Sequence, residues 1–366
     1  MPAIDKTIKA IIDTKDWNKR VAQIRLVPDK HGTGDHIPIY AEVARELYVP
    51  NLVPDFAYIH EEPFYGEVHF LKSYELARRL TKKFTKVSEA DLATLLQAEP
   101  GALLTFRTLL GLSRDEFAHS TTLVATKTDP EISSSKVDSM ERTGTATSAK
   151  QAGLIAKTIT KVMDGTLFGT PPVGLILKQS KADTRTGWDS VRNLATKGVG
   201  LGVYLHQRHF GGYFSQVLNA TSTKRGDIIE SAVEELFKTN RIPYLRTGSH
   251  NQVAIADEFE VRVTPAPDFV VFDDTRTLKG MLECKGTNNG GTARDKALRF
   301  GKLKTESVRL GGIPLLAVLG GIGWARVNDA LAPVLRDTDG RVFTLKNLPE
   351  ILKVAPFPSL IGKAPP

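Results

Sequence analysis

The chain has 366 residues, 41% hydrophobic and 25% charged, which is an ordinary globular balance and enough length for two domains. A single cysteine, Cys284, excludes an internal disulfide and any cysteine-based zinc site, and no apolar run approaches a membrane span. Forty-nine Lys and Arg against 41 Asp and Glu leave a formal charge of +8, which suits a polyanionic partner such as nucleic acid.

The opening stretch, MPAIDKTIKAIIDTKDW, carries charges inside its apolar run and has no secretory pattern, so a cytoplasmic location is expected. Residues 1–150 read as a largely helical region with a possible part in DNA recognition. Its clearest piece is 87–120. Ser88 can cap a helix through Leu92, Leu95 and Leu96, which Pro100-Gly101 ends, and a second helix runs from Ala102 to Leu110 with Gly111 just past its end. Ser113-Arg-Asp-Glu116 then has the form of a capping box opening a third helix. Residues 102–120 therefore have the layout of a helix-turn-helix. From Lys127 to Gln151 the composition turns to Ser, Thr, Lys and Asp, so 126–150 is a candidate mobile linker.

Residues 151–366 form the second expected domain. Helical patterning resumes over 152–215, interrupted at Gly169-Thr-Pro-Pro172. His206 and His209 share a helix face at i, i+3, but no third ligand follows at a sensible spacing, so a surface or packing role is expected.

The densest chemistry falls within 224–324. In DIIESAVEELFKT, Ile228, Ile229, Ala232, Val233, Leu236 and Phe237 make one apolar stripe of a helix that Arg241-Ile-Pro-Tyr244 ends. EFEVRV (258–263) alternates like a strand, DFVVFDD (268–274) is a second and TLKGMLECKG (277–286) a third. A basic helix over roughly 293–309 and the apolar strand IPLLAVLGG complete the series. The order helix, three strands, helix, strand predicts an α/β fold with a mixed central sheet flanked by helices.

Alternation in the third strand puts Glu283 and Lys285 on one face, and Leu282 and Cys284 on the other, so Cys284 reads as a small core residue. Asp268 starts the preceding strand, so a hairpin would bring it beside Glu283. Two carboxylates and an ammonium on one patch of sheet are what phosphodiester hydrolysis needs. Hard oxygens select Mg²⁺ or Mn²⁺, and a lysine can hold the attacking water or offset charge on the phosphate. Between Arg276 and Arg309 nine Lys or Arg face three acids, a local excess of +6 beside these residues. Lys296, Arg299 and Lys302 are candidate phosphate contacts, and Asn288 and Asn289 in the loop after Lys285 are candidates for backbone or base contacts.

Pro267-Asp268, fourteen further residues, then Glu283-Cys284-Lys285 resembles the signature of the PD-(D/E)XK nuclease superfamily. Two other Pro-Asp pairs, Pro28-Asp29 and Pro54-Asp55, lack an acidic-x-Lys triplet at a suitable distance. Gly226-x-x-x-Glu230 resembles the Gly-x-x-x-Glu of the first core helix in several branches. The resemblance implies that Asp268 and Glu283 ligate Mg²⁺ (Mn²⁺ substituting), that Lys285 positions the water, and that Glu230 binds a second metal or reaches the first through water. On a helical wheel Glu230 and Glu235 border the apolar stripe equally, and only the glycine spacing favours Glu230.

With no G-x-x-x-x-G-K-[ST] motif in the chain, the expectation is a stand-alone, dimeric Type II restriction endonuclease cutting double-stranded DNA. A repair, transposition or RNA-processing nuclease on the same fold is one alternative. A DNA-binding regulator with an inactive nuclease core, using 102–120 to bind, is another.

Overall fold

The computed structural model describes residues 3–53, 62–171, 173–174, 176–178, 180–211, 222–248 and 251–364. Pro54-Asp55, Pro172 and residues 212–215 of the sequence reading lie outside them. The fold is α/β, with a small five-stranded mixed sheet and many helices. No helix among the described residues is long and apolar enough to cross a membrane.

The chain divides into two compact units, but not at residue 150 as the sequence suggested. One unit joins Met1–Ile59 to Thr221–Pro366, and the other is His60–Ala220. The physical reason is burial. The first helices, α1 (Ala3–Asp13), α2 (Trp17–Arg25), α3 (Val27–His31) and α4 (Ile37–Leu47), put Ile11, Val21, Ile24 and Val43 into the same core as the sheet. Trp17 Nε1 donates to Glu350 at 3.2 Å and Tyr48 Oη to the carbonyl of Gly340 at 2.8 Å. These helices therefore belong with the C-terminal part of the chain.

The second unit is helical: α5 (Glu67–Leu80), α6 (Glu89–Ala98), α7 (Leu103–Leu110), α8 (Arg114–Val124), α9 (Ser134–Thr143), α10 (Ala149–Met163), α11 (Trp188–Lys197) and α12 (Leu201–Gly211). The expected caps form: Ser88 with Asp91 and Ser113 with Glu116 are both reciprocal capping boxes, and Gly111 closes α7 at φ +69°. The expected linker over 126–150 does not. Its Ile132, Val137 and Met140 are buried, and α9 seats Glu141 against Arg107 of α7, with Nε–Oε1 at 2.5 Å and Nη2–Oε2 at 2.7 Å. Three apolar residues and one matched charge anchor a segment whose polar composition reads as loop. Removing one partner of such a buried pair costs about 3–5 kcal/mol.

In the first unit the strands lie in chain order across the sheet: β1 (Tyr244–Arg246), β2 (Phe269–Phe272), β3 (Leu278–Gly286), β4 (Leu315–Gly320) and β5 (Val342–Phe343). β1, β2 and β3 are antiparallel neighbours, whereas β3, β4 and β5 run parallel. Parallel pairing requires a crossover, supplied by α15 (Gly290–Arg309) between β3 and β4 and by α16 (Ala332–Asp337) between β4 and β5. α13 (Ser222–Thr239) packs Ile229, Val233 and Phe237 with Phe269, Val271, Leu282 and Cys284. Val270, Met281 and Leu315 join Leu303 of α15 and Ile255 and Phe259 of α14 (Gln252–Phe259) in a separate cluster. Close approach of α13 explains Gly320: a Cβ there would stand 2.6 Å from Ile229 Cδ1.

One expected strand is replaced. EFEVRV is not in the sheet: α14 takes its start, Glu260 ends that helix at φ +56°, and the amide of Arg262 donates to Glu306 Oε1 at 2.5 Å. A side-chain carboxylate thus serves a segment that alternates like a strand. The place beside β2 goes to Tyr244–Arg246, which begins at the last residue of the Arg241–Tyr244 stretch expected only to end α13.

Candidate functional site

The antiparallel register of β2 and β3 builds the site. Phe269 pairs with Leu282 and Val270 with Met281, so one step further along the ladder Asp268 meets Glu283. Asp268 is fixed on several sides. Its amide donates to Glu283 Oε2 at 3.3 Å, and its carbonyl accepts from Thr247 N at 2.9 Å, which ties it to the end of β1. Thr247 Oγ1 also donates to the carbonyl of Pro267. The carboxylate accepts from Cys284 N at 2.7 Å and from Lys285 Nζ at 3.1 Å, both at Oδ2.

Lys285 Nζ also lies 2.6 Å from Glu283 Oε1 and donates to the Cys284 carbonyl at 3.0 Å. Strand alternation is as expected. Leu282 and Cys284 join the core with α13, while Glu283 and Lys285 meet Asp268 on the other face. Glu283 is only 2% exposed, whereas the side chains of Asp268 and Lys285 keep 22% and 24% of their surface open.

Burial, followed by the charge of Glu283, pushes the Asp268 carboxyl up to about 6. Burial pulls the Lys285 ammonium down, but the charges of Glu283 and Asp268 outweigh it and hold its pKa above the ordinary lysine value. Burial raises the Cys284 thiol well above its usual range. A buried thiol held in its neutral form is no nucleophile.

Arg299 stands elsewhere than a phosphate contact would. Its Nε donates to Glu283 Oε1 at 3.0 Å, and its Nη2 donates to the carbonyls of Pro265 at 2.6 Å and Ala266 at 3.1 Å. It is part of the carboxylate cluster, bridging α15 to the segment that leads into Asp268. Lys296 turns back to the Gly286 carbonyl at 2.7 Å. Asn289 caps α15, its Oδ1 accepting from Thr292 N at 2.9 Å, and Asn288 Oδ1 accepts from Ile322 N at 3.1 Å. Asn289 thus serves as an N-cap, the use expected of Asn at a helix start, and Asn288 ties its loop to the segment after β4. Lys302 is exposed on α15.

Glu230 is brought to the neighbourhood but not into the cluster. Arg246 of β1 donates to its Oε2 from Nε at 3.1 Å and from Nη2 at 2.8 Å, and to Glu234 Oε2 from Nη1 at 3.0 Å. Its charge still contributes to raising the Asp268 carboxyl. Glu235, on the other border of the apolar stripe, is exposed and among the described residues accepts only a long bond from Thr239 Oγ1 at 3.4 Å. Geometry therefore separates two glutamates that the wheel left equal. Among the described residues there is no group of three or more His, Cys, Asp or Glu placed to hold a metal.

Sequence reasoning finds no sign of the part Arg246 plays, and it misplaces Arg299 among the phosphate contacts. Arg246 follows Pro243 in a segment too short to show alternation, and Arg299 looked like one more charge on a basic helix. The helix-turn-helix elements exist, yet the exposed start of α8 carries Asp115 and Glu116, and Arg114 is paired with Asp138. An acidic leading turn repels phosphate, which weighs against base reading by α8. His206 and His209 are both exposed on α12. No family model, no curated protein and no solved structure matches this chain.

Proposed function

We propose that this chain is a metal-dependent endonuclease of the PD-(D/E)XK type that cuts double-stranded DNA, most specifically a Type II restriction enzyme. One observation carries the reading: Asp268, Glu283 and Lys285 meet within hydrogen-bond distance on one face of the sheet. The donor set fits a hard divalent cation. Asp268 Oδ1 has no hydrogen-bond donor among the described residues, and its side chain remains partly open to solvent.

Asp268 and Glu283 would hold the ion. Bound there, Mg²⁺ (or Mn²⁺ in its place) would lower the pKa of a water and polarise the phosphate. The chain's own part is positioning and charge. Lys285, with its ammonium stabilised by two carboxylates, is protonated at neutral pH. It therefore acts by donating to a phosphate or water oxygen and offsetting developing charge, rather than by removing a proton. Burial of Glu283 and the bond from Cys284 N fix the two carboxylates before substrate arrives. The exposed Lys302 and Arg294 of α15 and the chain's formal charge of +8 support DNA as the substrate. A homodimer and a cytoplasmic location belong to the same reading, since cutting both strands of a duplex at one site calls for two such centres.

The test is incubation of plasmid and phage DNA with Mg²⁺ or Mn²⁺, with sequencing of the ends and light scattering of the protein. Discrete fragments with a common end sequence support a restriction enzyme. Cleavage confined to branched or damaged DNA, or to RNA, moves the reading to another nuclease on this fold. Protein that shifts DNA and never cuts it is a regulator instead.

A further inference from the structure

Four charged groups meet around Glu283, and their charges cancel. Asp268 and Glu283 are the two negative members, Lys285 and Arg299 the two positive ones. Both cations reach the same oxygen: Lys285 Nζ lies 2.6 Å and Arg299 Nε 3.0 Å from Glu283 Oε1. At 2% exposure Glu283 has almost no solvent to screen these charges.

The two cations are not equivalent. Lys285 sits on a flexible stem with part of its side chain open to solvent. Arg299 is anchored by the carbonyls of Pro265 and Ala266, and its Nη1 is buried with no partner among the described residues. Swinging the guanidinium away from Glu283 would break three hydrogen bonds and leave a buried charge uncompensated.

We infer that Arg299 is a fixed counter-ion to Glu283, and that it makes loading of the divalent cation depend on the phosphodiester arriving with it. This rests on the nuclease reading above. A dication entering alone would give a largely buried, already neutral group a net charge of +2, which a low-dielectric surrounding opposes. The phosphodiester anion removes one of those two charges at the moment it is needed. Arg299 is then a positioning residue: it touches neither substrate nor reacting atoms, and acts by fixing the position and charge of Glu283.

The experiment is calorimetric titration of Mn²⁺ into the full chain, free and bound to a phosphorothioate DNA duplex, with binding to the duplex alone subtracted. Wild type is expected to bind Mn²⁺ about tenfold or more tighter with the duplex than without it. Arg299→Gln, which removes the charge, should tighten Mn²⁺ binding by DNA-free protein about tenfold or more, while Arg299→Lys, which keeps it, should stay within about threefold of wild type. A shift of Tm on adding Mn²⁺ gives a second readout that needs no cleavage. If Arg299→Gln binds no tighter than wild type, or wild type binds Mn²⁺ equally with and without DNA, the inference is overturned. Should Arg299→Gln fail to fold by circular dichroism, the wild-type comparison and Arg299→Lys still decide. Wild type that cuts plasmid DNA but shows no coupling removes the Arg299 inference alone. Wild type that neither cuts nor binds metal beside the duplex removes the nuclease reading and this inference together.

Discussion

Arg246 holds Glu230 by two hydrogen bonds to one carboxylate oxygen, from Nε at 3.1 Å and from Nη2 at 2.8 Å. A glutamate so engaged is a poor candidate for a permanent metal ligand. Glu230→Gln should therefore slow cleavage by about tenfold or less, while Arg246→Met, which releases the carboxylate, should change the metal concentration needed for half-maximal rate. Loss of all cleavage in Glu230→Gln would make Glu230 a ligand after all.

Asp268 and Glu283 stand differently. Asp268→Ala and Glu283→Ala should each abolish detectable cleavage while leaving a cooperative thermal transition, because Leu282 and Cys284 on the opposite face of β3 are untouched. The Tm of Glu283→Ala should be the lower, since Arg299 loses its buried counter-charge. Cleavage surviving in either variant would remove the site assignment.

Lys285→Met should retain DNA binding and cut at least about a hundredfold more slowly, the scale of losing one charged donor at a reacting phosphate. Since Lys285 is held protonated by its neighbours, the rate of wild type should show no fall below about pH 9 that could be assigned to it. A variant that binds and cuts like wild type would leave the lysine with a purely structural part.

In protein stripped of metal, the Asp268 carboxyl titrates at about 6, above the ordinary aspartate value, through burial first and the Glu283 charge second. The folded state thus holds this proton more tightly than the unfolded chain does. Its stabilising contribution is full below about pH 4 and is lost as pH rises through about 6. Asp268→Asn cannot ionise and should escape the loss. In chelator, its Tm should move ahead of the wild-type Tm as pH goes from about 4 to about 7. Parallel Tm curves would show that Asp268 is not perturbed in solution.

Salt dependence separates the basic residues of α15. Lys302 and Arg294 are exposed, whereas Lys296 bonds to the Gly286 carbonyl. Replacing Lys302 and Arg294 by Gln should flatten the plot of log binding constant against log salt by about 0.9 per lost phosphate contact. Lys296→Gln should change that slope less and the Tm more. An unchanged slope in the double variant would turn this helix away from DNA.

Much of this site was legible because strand chemistry is local. Period-two alternation put Glu283 and Lys285 on one face, and the proline before Asp268 marked where β2 begins. The apolar stripe of α13, apart from the exposed Ile228, and the caps at Ser88 and Ser113 were equally readable, since each is decided within a few residues. What escaped depends on distant partners. Val261 and Val263 alternate like a strand, but Glu306, more than forty positions on, takes the amide of Arg262 instead. The segment around Glu141 looked like linker until Arg107 supplied its counter-charge. Arg299 and Arg246 were visible as charges, and only the fold tells which carboxylate each one answers.

The placement of residues 60–220 between the two parts of the first unit has a consequence for synthesis. Trp17 and Tyr48 are made early, yet their partners Glu350 and Gly340 lie 333 and 292 positions later. The helical unit closes its core from neighbouring segments and can condense while the ribosome is still working. The first four helices must wait, with their apolar faces uncovered, until the segment around Gly340 and Glu350 has emerged. On a growing chain, the N-terminal segment is the part that most needs shelter.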